Sequence, residues 1–169
     1  MSSFASPYIK TVTVAVARNA DLLTYTGADV ALLKTLACTF SREVGVSNIG
    51  VTCAIAGASA SDAVQSFVNG TTPFIFQGLV GGVTQWMQNA SNAYTPGTKS
   101  KAAQSFAANS IFMDKDGTAQ TQDVSASVPT VDRLHVGHVA GSYVFNGPVN
   151  HIYGWTRNLS QSELGAVDR

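Results

Sequence analysis

Short hydrophobic runs with a period of two, cut by turn dipeptides, leave this chain little choice but β structure. Residues 9–17 carry Ile9, Val12, Val14 and Val16 with Thr11 and Thr13 between them. Residues 22–25 are a short β-compatible run, and residues 32–40 place Leu36, Cys38 and Phe40 at alternate positions. Residues 51–56 set Val51, Cys53 and Ile55 on one face and Thr52, Ala54 and Ala56 on the other. Residues 64–68 and 73–79 are predicted strands parted by Asn69-Gly70, and Gly81-Gly82 parts the second from residues 83–87. Pro96-Gly97 marks a turn within a loop at residues 89–98. Residues 101–107 and 110–113 are candidate strands around Ala108-Asn109, and Asp116-Gly117 signals a further hairpin. Residues 133–137 and 143–145 precede the turn Asn146-Gly147. Residues 149–156 then put Val149, His151, Tyr153 and Trp155 on one face.

Turns at such short intervals predict a sandwich or a barrel. One helix start stands out: Ser160-Gln161-Ser162-Glu163 is a capping box, in which each end satisfies a backbone N–H of the other. Residues 28–37 read equally as helix or strand, since Val30, Leu32, Leu33 and Leu36 fit both patterns.

Composition narrows the class. Hydrophobic residues make up 45% of the 169 and charged residues 12%, so the chain can bury a core as one domain. Ser2, Ser3, Ser6 and Pro7 mark residues 1–8 as an arm or linker before a domain at 9–169. The formal net charge is zero and Lys99 and Lys101 are the nearest thing to a basic cluster, which argues against a nucleic-acid partner. Weak charge repulsion favours self-association. Met1-Ser2-Ser3-Phe4 has neither a basic nor an apolar leader region, so no signal peptide is expected, and no apolar run is long enough for membrane insertion. Cys38 and Cys53 fit no metal spacing; they read as small buried side chains, with a disulfide left open.

The end segments carry a resemblance. Asp132-Arg133-Leu134-His135-Val136-Gly137, then Tyr143-Val144-Phe145-Asn146-Gly147-Pro148-Val149, then Ile152-Tyr153-Gly154-Trp155-Thr156-Arg157-Asn158-Leu159-Ser160-Gln161-Ser162-Glu163-Leu164 resembles the close of laminin G-like and concanavalin A-like jelly rolls. Ala5-Ser6-Pro7-Tyr8-Ile9-Lys10-Thr11 and Val16-Ala17-Arg18-Asn19-Ala20-Asp21-Leu22-Leu23-Thr24-Tyr25 is similar to the opening of such domains in bacteriophage structural proteins, though a Pro is common where Lys10 stands. Together they cover about the outer third of the chain. The resemblance implies an all-β jelly-roll sandwich with a short C-terminal helix, Leu159 and Leu164 packing that helix back. It also implies a virion protein, acting in tail, fibre or head decoration through other virion proteins and a homo-oligomer.

Catalytic patterns are missing. Glucanases of this fold set acidic residues two apart on one strand. The nearest approach here is Asp114-Lys115-Asp116-Gly117, which reads as a hairpin turn, or as half of a Ca²⁺ site too poor in oxygens to stand alone. His135 and His138, three apart on a strand, are expected on opposite faces and lack a third ligand. No G-x-S-x-G or phosphate loop occurs. The sequence therefore predicts no enzyme, no metal and no cofactor. Among the aromatics, Trp86, Tyr94, Tyr143, Tyr153 and Trp155 could stack on a sugar; Trp86 and Tyr94 flank a loop and are the better candidates, with burial in the core or an interface as the competing reading for each. Tyr153 and Trp155 read as core or interface. The expected function is a virion assembly module, with a module binding host surface glycans as the alternative.

Overall fold

A computed structural model describes residues 23–41, 49–70 and 73–167. The arm at 1–8, the predicted strand at 9–17 and most of the phage-like opening segment lie outside the described residues. The strands are β1 (Leu23–Thr26), β2 (Thr35–Phe40), β3 (Gly50–Ala56), β4 (Ala63–Val68), β5 (Phe74–Val80) and β6 (Val83–Asn89). They continue as β7 (Ser100–Ala107), β8 (Ser110–Lys115), β9 (Thr118–Ala119), β10 (Arg133–Val136) and β11 (Val149–Trp155). Two short helices complete the set, α1 (Ala28–Ala31) and α2 (Gln161–Ala166).

The strands form two antiparallel sheets, one ordered β1-β10-β3-β4-β5-β6 and the other β11-β2-β7-β8-β9. Their inner faces meet over one core. Leu36, Cys38 and Phe40 of β2, with Phe106 of the neighbouring β7, face Cys53 and Ile55 of β3 and Phe74 and Phe76 of β5. Phe40 sits at the centre, 5.2 Å from Phe74 in a stacked pair and 5.7 Å from Phe145 edge-on. Burying such a ring contributes about 2–3 kcal/mol from area alone.

The turns follow their chemistry. Gly81 (φ 57°) and Gly82 (φ 80°) make a two-residue hairpin between β5 and β6, and Asp116 (φ 54°) with Gly117 (φ 80°) does the same between β8 and β9. Both residues of such a turn need positive φ, which Gly and Asp accept. Residues 28–37 resolve into both readings, a single helical turn at Ala28–Ala31 followed by β2. Residues 143–145 are not a strand. Ala140 (φ 45°) and Tyr143 (φ 55°) leave the extended region, so only one bridge, Val51 to Val144, forms there.

Cys38 and Cys53 are free and buried, from opposite sheets. A hydrogen bond with Cys38 and then burial push the Cys53 thiol well up, so it stays protonated and inert.

Beyond β11 the chain folds back over the five-stranded sheet. The Thr35 hydroxyl donates to Arg157 O at 2.9 Å and accepts from Leu159 N at 3.2 Å. The capping box forms as the sequence predicts: Glu163 N donates to Ser160 Oγ at 3.4 Å and Ser160 N to Glu163 Oε2 at 2.8 Å. Leu159 and Leu164 pack on Ala37 and Ala103. Lys101 Nζ donates to Leu164 O and Val167 O, both at 3.1 Å, and pairs with Asp114 at 3.3 Å. A buried cation thus caps the negative end of α2.

Candidate functional site

The other sheet offers a different outer face. Its register lines up Thr24, His135, Ala54, Gln65, Gln77 and Met87 as one row across six strands. Side chains alternate along a strand, so this row and its neighbours two residues away share the outer surface. The row's centre is polar, two glutamines in strands otherwise rich in Val, Phe, Ile and Ala.

A groove of about 520 Å³ lies over that centre. Gln65 and Phe67 of β4, Gln77 and Leu79 of β5 and Thr84 of β6 line its floor. Ala60, Ser61 and Gly82 border it beside the hairpins, and Ile49, Val51, Val139 and Tyr143 border it at the opposite end. The floor is ordered by an amide relay: Gln65 Nε2 donates to Gln77 Oε1 at 2.6 Å, and Gln77 Nε2 donates to Thr84 Oγ1 at 3.4 Å. Gln65 is 7% exposed, and its Oε1 has no hydrogen-bond partner in the protein. A buried acceptor left in that state costs about 1–3 kcal/mol.

The wall at Tyr143 is held under strain. Tyr143 is 54% exposed and sits in the left-handed region, where a bulky residue is an outlier. Val51 N donates to Tyr143 O at 2.8 Å, and Val139 and Ser142 exchange two backbone hydrogen bonds. The result is a small hairpin over the sheet, with an aromatic side chain at the groove's mouth.

A histidine pair anchors the base of this hairpin. The expectation that His135 and His138 point to opposite faces is corrected by the structure. Gly137 (φ 72°) turns the chain between them and brings their rings within 4.8 Å. Gly141 N donates to His138 Nδ1 at 3.1 Å, so Nε2 carries the proton, facing Leu23 O at 3.2 Å. Thr24 Oγ1 lies 3.0 Å from His135 Nδ1 and 3.3 Å from His138 Nε2. Burial lowers the pKa of His135 to about 4, helped by the neighbouring His138 and Arg133 and opposed by Asp132. His138 is lowered as well, by burial against the backbone hydrogen bond of Leu23. Both rings are neutral at pH 7.

The two aromatics singled out from sequence lie elsewhere. Trp86 and Tyr94 are each 2% exposed and belong to the core. The Trp86 ring fills the space over Gly78, where any Cβ would sit 2.2 Å from it, and its Nε1 donates to Gln104 at 3.4 Å. Tyr94 stacks near Phe40 at 5.8 Å. Neither lines the groove, so the competing core reading describes their placement. His151, Tyr153 and Trp155 form a ladder with ring centres 6.0 Å apart and interplanar angles of 24° and 28°, so the rings face one another. What sequence reasoning passed over is Gln65 and Gln77, while Tyr143, one of the aromatics it weighed for stacking, is the one that lines the groove. The available signal was an amide at the same alternate position of two apolar strands.

The acidic turn is structural. Asp114 accepts from Gly117 N at 2.9 Å and pairs with Lys101, while Asp116 pairs with Lys115. Among the described residues no three His, Cys, Asp or Glu side chains converge as metal ligands. Among them, too, no helix is long and apolar enough to cross a membrane.

No protein-family model and no curated protein matches this chain. Solved structures do. The CBM40 module of the Ruminococcus gnavus IT-sialidase, bound to α2,3-sialyllactose, superimposes with a TM-score of 0.71 at 13% identity, over 93% of this chain and 95% of that one. Domains LG4-5 of the mouse laminin α1 chain give 0.62 at 15%, over 94% of this chain and 50% of that one. A heptameric SAP-like pentraxin from Limulus polyphemus gives 0.60 at 10%, over 81% of this chain and 70% of that one. At these identities the likeness establishes the fold, a laminin G-like jelly roll with a short C-terminal helix.

Proposed function

We propose that this chain is a carbohydrate-binding module and that the groove over Gln65 and Gln77 is its ligand site. The observation that carries this reading is the groove itself, floored by the hydrogen-bonded side chains of Gln65, Gln77 and Thr84 and bordered by an exposed Tyr143. Sugars are recognised by fixed amides that meet their hydroxyls and by aromatic faces that meet their C–H surfaces, and both lie in this groove. The fold is shared with a module bound to sialyllactose, which supports the reading without assigning the ligand. Among the described residues the groove's lining contains no carboxylate to serve as the acid or base of two-carboxylate glycoside hydrolysis.

A glycan array probed with the labelled protein, followed by calorimetry, tests this. Binding to a defined subset of glycans is expected, weakened about tenfold by Gln77→Ala, the loss of roughly one hydrogen bond of net strength 1–1.5 kcal/mol. Silence across the array, or binding indifferent to Gln77→Ala, rejects the site.

The assembly reading, a homo-oligomeric virion module, rests on the end segments, most of the first of which lies outside the described residues, and on the low charge. Light scattering over a dilution series tests it separately: a stable trimer or larger ring revives it, and a monomer sets it aside.

A further inference from the structure

We infer that His138, braced by Thr24 and His135, positions the Tyr143 wall of the groove, and that acid releases a bound sugar by breaking that brace. This rests on the carbohydrate-binding reading above and adds the residue that holds the site in shape and the condition that opens it.

Three observations converge. First, the wall hangs on a turn tied to one ring. Gly141 N reaches back across Val139 and Ala140 to His138 Nδ1, at 3.1 Å. Ala140 (φ 45°) is in the left-handed region, which an alanine leaves when nothing holds it there. Val139 and Tyr143, on either side of this turn, both line the groove. Val139 is buried beside Val51 and Phe67, which line it too. A turn that loses its histidine therefore moves two residues of the site.

Second, the brace works only with neutral rings. His138 Nδ1 accepts from Gly141 N only without a proton of its own; a proton there sets N–H against N–H. The His135 ring stands 4.8 Å away, and both rings meet the Thr24 hydroxyl, His135 Nδ1 at 3.0 Å and His138 Nε2 at 3.3 Å. Two imidazolium charges at that spacing repel. Among the described residues the polar and charged groups facing the pair are Thr24 and Leu23 O of β1, Gly141 N of the turn, and Asp132 and Arg133 at the start of β10. On the neighbouring β3, Ala54 stands opposite His135 and brings no charge. Arg133 opposes a further positive charge; Asp132 favours one, but it is exposed and already paired with Arg133 at 3.4 Å.

Third, the closed form refuses protons. Burial first of all lowers His135 to about 4, and burial lowers His138 as well. A loosened turn opens both rings to water and returns them towards the ordinary 6.5, so falling pH favours the loosened form. The wall is held above that value and is given up as pH falls towards 4.

The experiment is calorimetry across pH, using the tightest-binding array glycan that carries no group titrating between pH 4 and 7, beside NMR of the isotope-labelled full chain. Affinity should stay level down to about pH 6.5 and fall at least about tenfold by about pH 4.5, with the Gly141 amide signal moving in step. Asn at 138 keeps an acceptor that does not titrate, so His135→Asn combined with His138→Asn should bind like wild type at pH 7 and lose less than about threefold at pH 4.5. His138→Leu removes the acceptor and should bind about tenfold more weakly already at pH 7. Tryptophan fluorescence should hold steady over the range, since Trp86 is buried in the core and reports the sandwich. Level affinity down to pH 4.5, an equal fall in the double variant, or a fall that coincides with loss of the fluorescence signal overturns the inference and leaves carbohydrate binding standing. Binding to no glycan at pH 7 overturns both.

Discussion

The two outer faces of this sandwich are built from similar strands and finished in opposite ways. On the five-stranded sheet the C-terminal segment closes the surface. Thr35, Lys101 and Asp114 are buried there, and each has a partner supplied by residues 157–167 or by the sheet itself. On the six-stranded sheet the short hairpin around Ser142 covers one end, and a groove stays open over an amide whose oxygen has no partner. The difference teaches where stability and recognition reside. A satisfied polar network under a cap holds the fold, while the open groove is the face proposed to take a ligand.

The largest test of this contrast is Lys101→Met. The ammonium neutralises Asp114, which is almost fully buried, and satisfies carbonyls at the end of α2. Removing it leaves a buried carboxylate uncompensated, a loss of about 3–5 kcal/mol by urea unfolding. Glycan affinity should stay unchanged at temperatures where the protein remains folded. A loss below about 1 kcal/mol would mean the closed face does not carry stability in this way.

Acid should act on the opposite face. Unfolded, His135 titrates near its ordinary 6.5; folded, it titrates near 4. Between these values the unfolded chain takes up a proton that the folded chain refuses. The stability present above pH 6.5 is therefore lost as pH falls towards 4, by about 2–3 kcal/mol from this group. His138 shifts in the same direction, and protonating its Nδ1 removes the acceptor of Gly141 N. The hairpin that carries Tyr143 should loosen first. Unfolding measured against pH in wild type and in His135→Asn checks this; an unchanged slope in the variant would place the effect elsewhere.

The fold was largely legible because its signals are local. Asn69-Gly70, Gly81-Gly82 and Asp116-Gly117 each turn the chain where strands meet, and the capping box at Ser160 starts the helix it announces. The site was legible only in part, because its signals are not local. Alternation separates Gln65 from Val64 but does not say which face looks outward, and β2, β3 and β4 are buried on both faces. Trp86 was read as flanking a loop, although Gly78 pairs with it across the hairpin and makes room for its ring. His135 and His138 look opposed in an ideal strand; a single left-handed Gly137 brings them together.

A smaller effect separates the two faces further. Ser160→Ala removes the oxygen that accepts from Glu163 N, at a cost of about 1 kcal/mol. Glu163 itself is held near pKa 2, first by the hydrogen bond from Arg157 and then by Ser160 N. This pair is partly exposed and adds little to stability by itself. Thermal denaturation should show a drop of a few degrees with no change in glycan binding. A binding change would tie the closed face to the groove.

The smallest stability change is expected at Tyr143, and there it should reverse sign. A non-glycine residue held at φ 55° carries a backbone penalty of about 1–2 kcal/mol. Glycine escapes that penalty but brings about 0.5–1 kcal/mol of extra chain entropy to the unfolded state. Tyr143→Gly should therefore leave the protein as stable as before or up to about 1 kcal/mol more so, since the residue is 54% exposed and little packing is lost. The same change removes the aromatic side chain at the mouth of the groove. Binding should fall about tenfold, the worth of one aromatic contact. Denaturant unfolding and calorimetry on one preparation would show stability and affinity moving in opposite directions. That is the signature of a residue kept in a strained conformation for its ligand. If stability falls together with affinity, Tyr143 is part of the scaffold, and the open face depends on it as the closed face depends on Lys101.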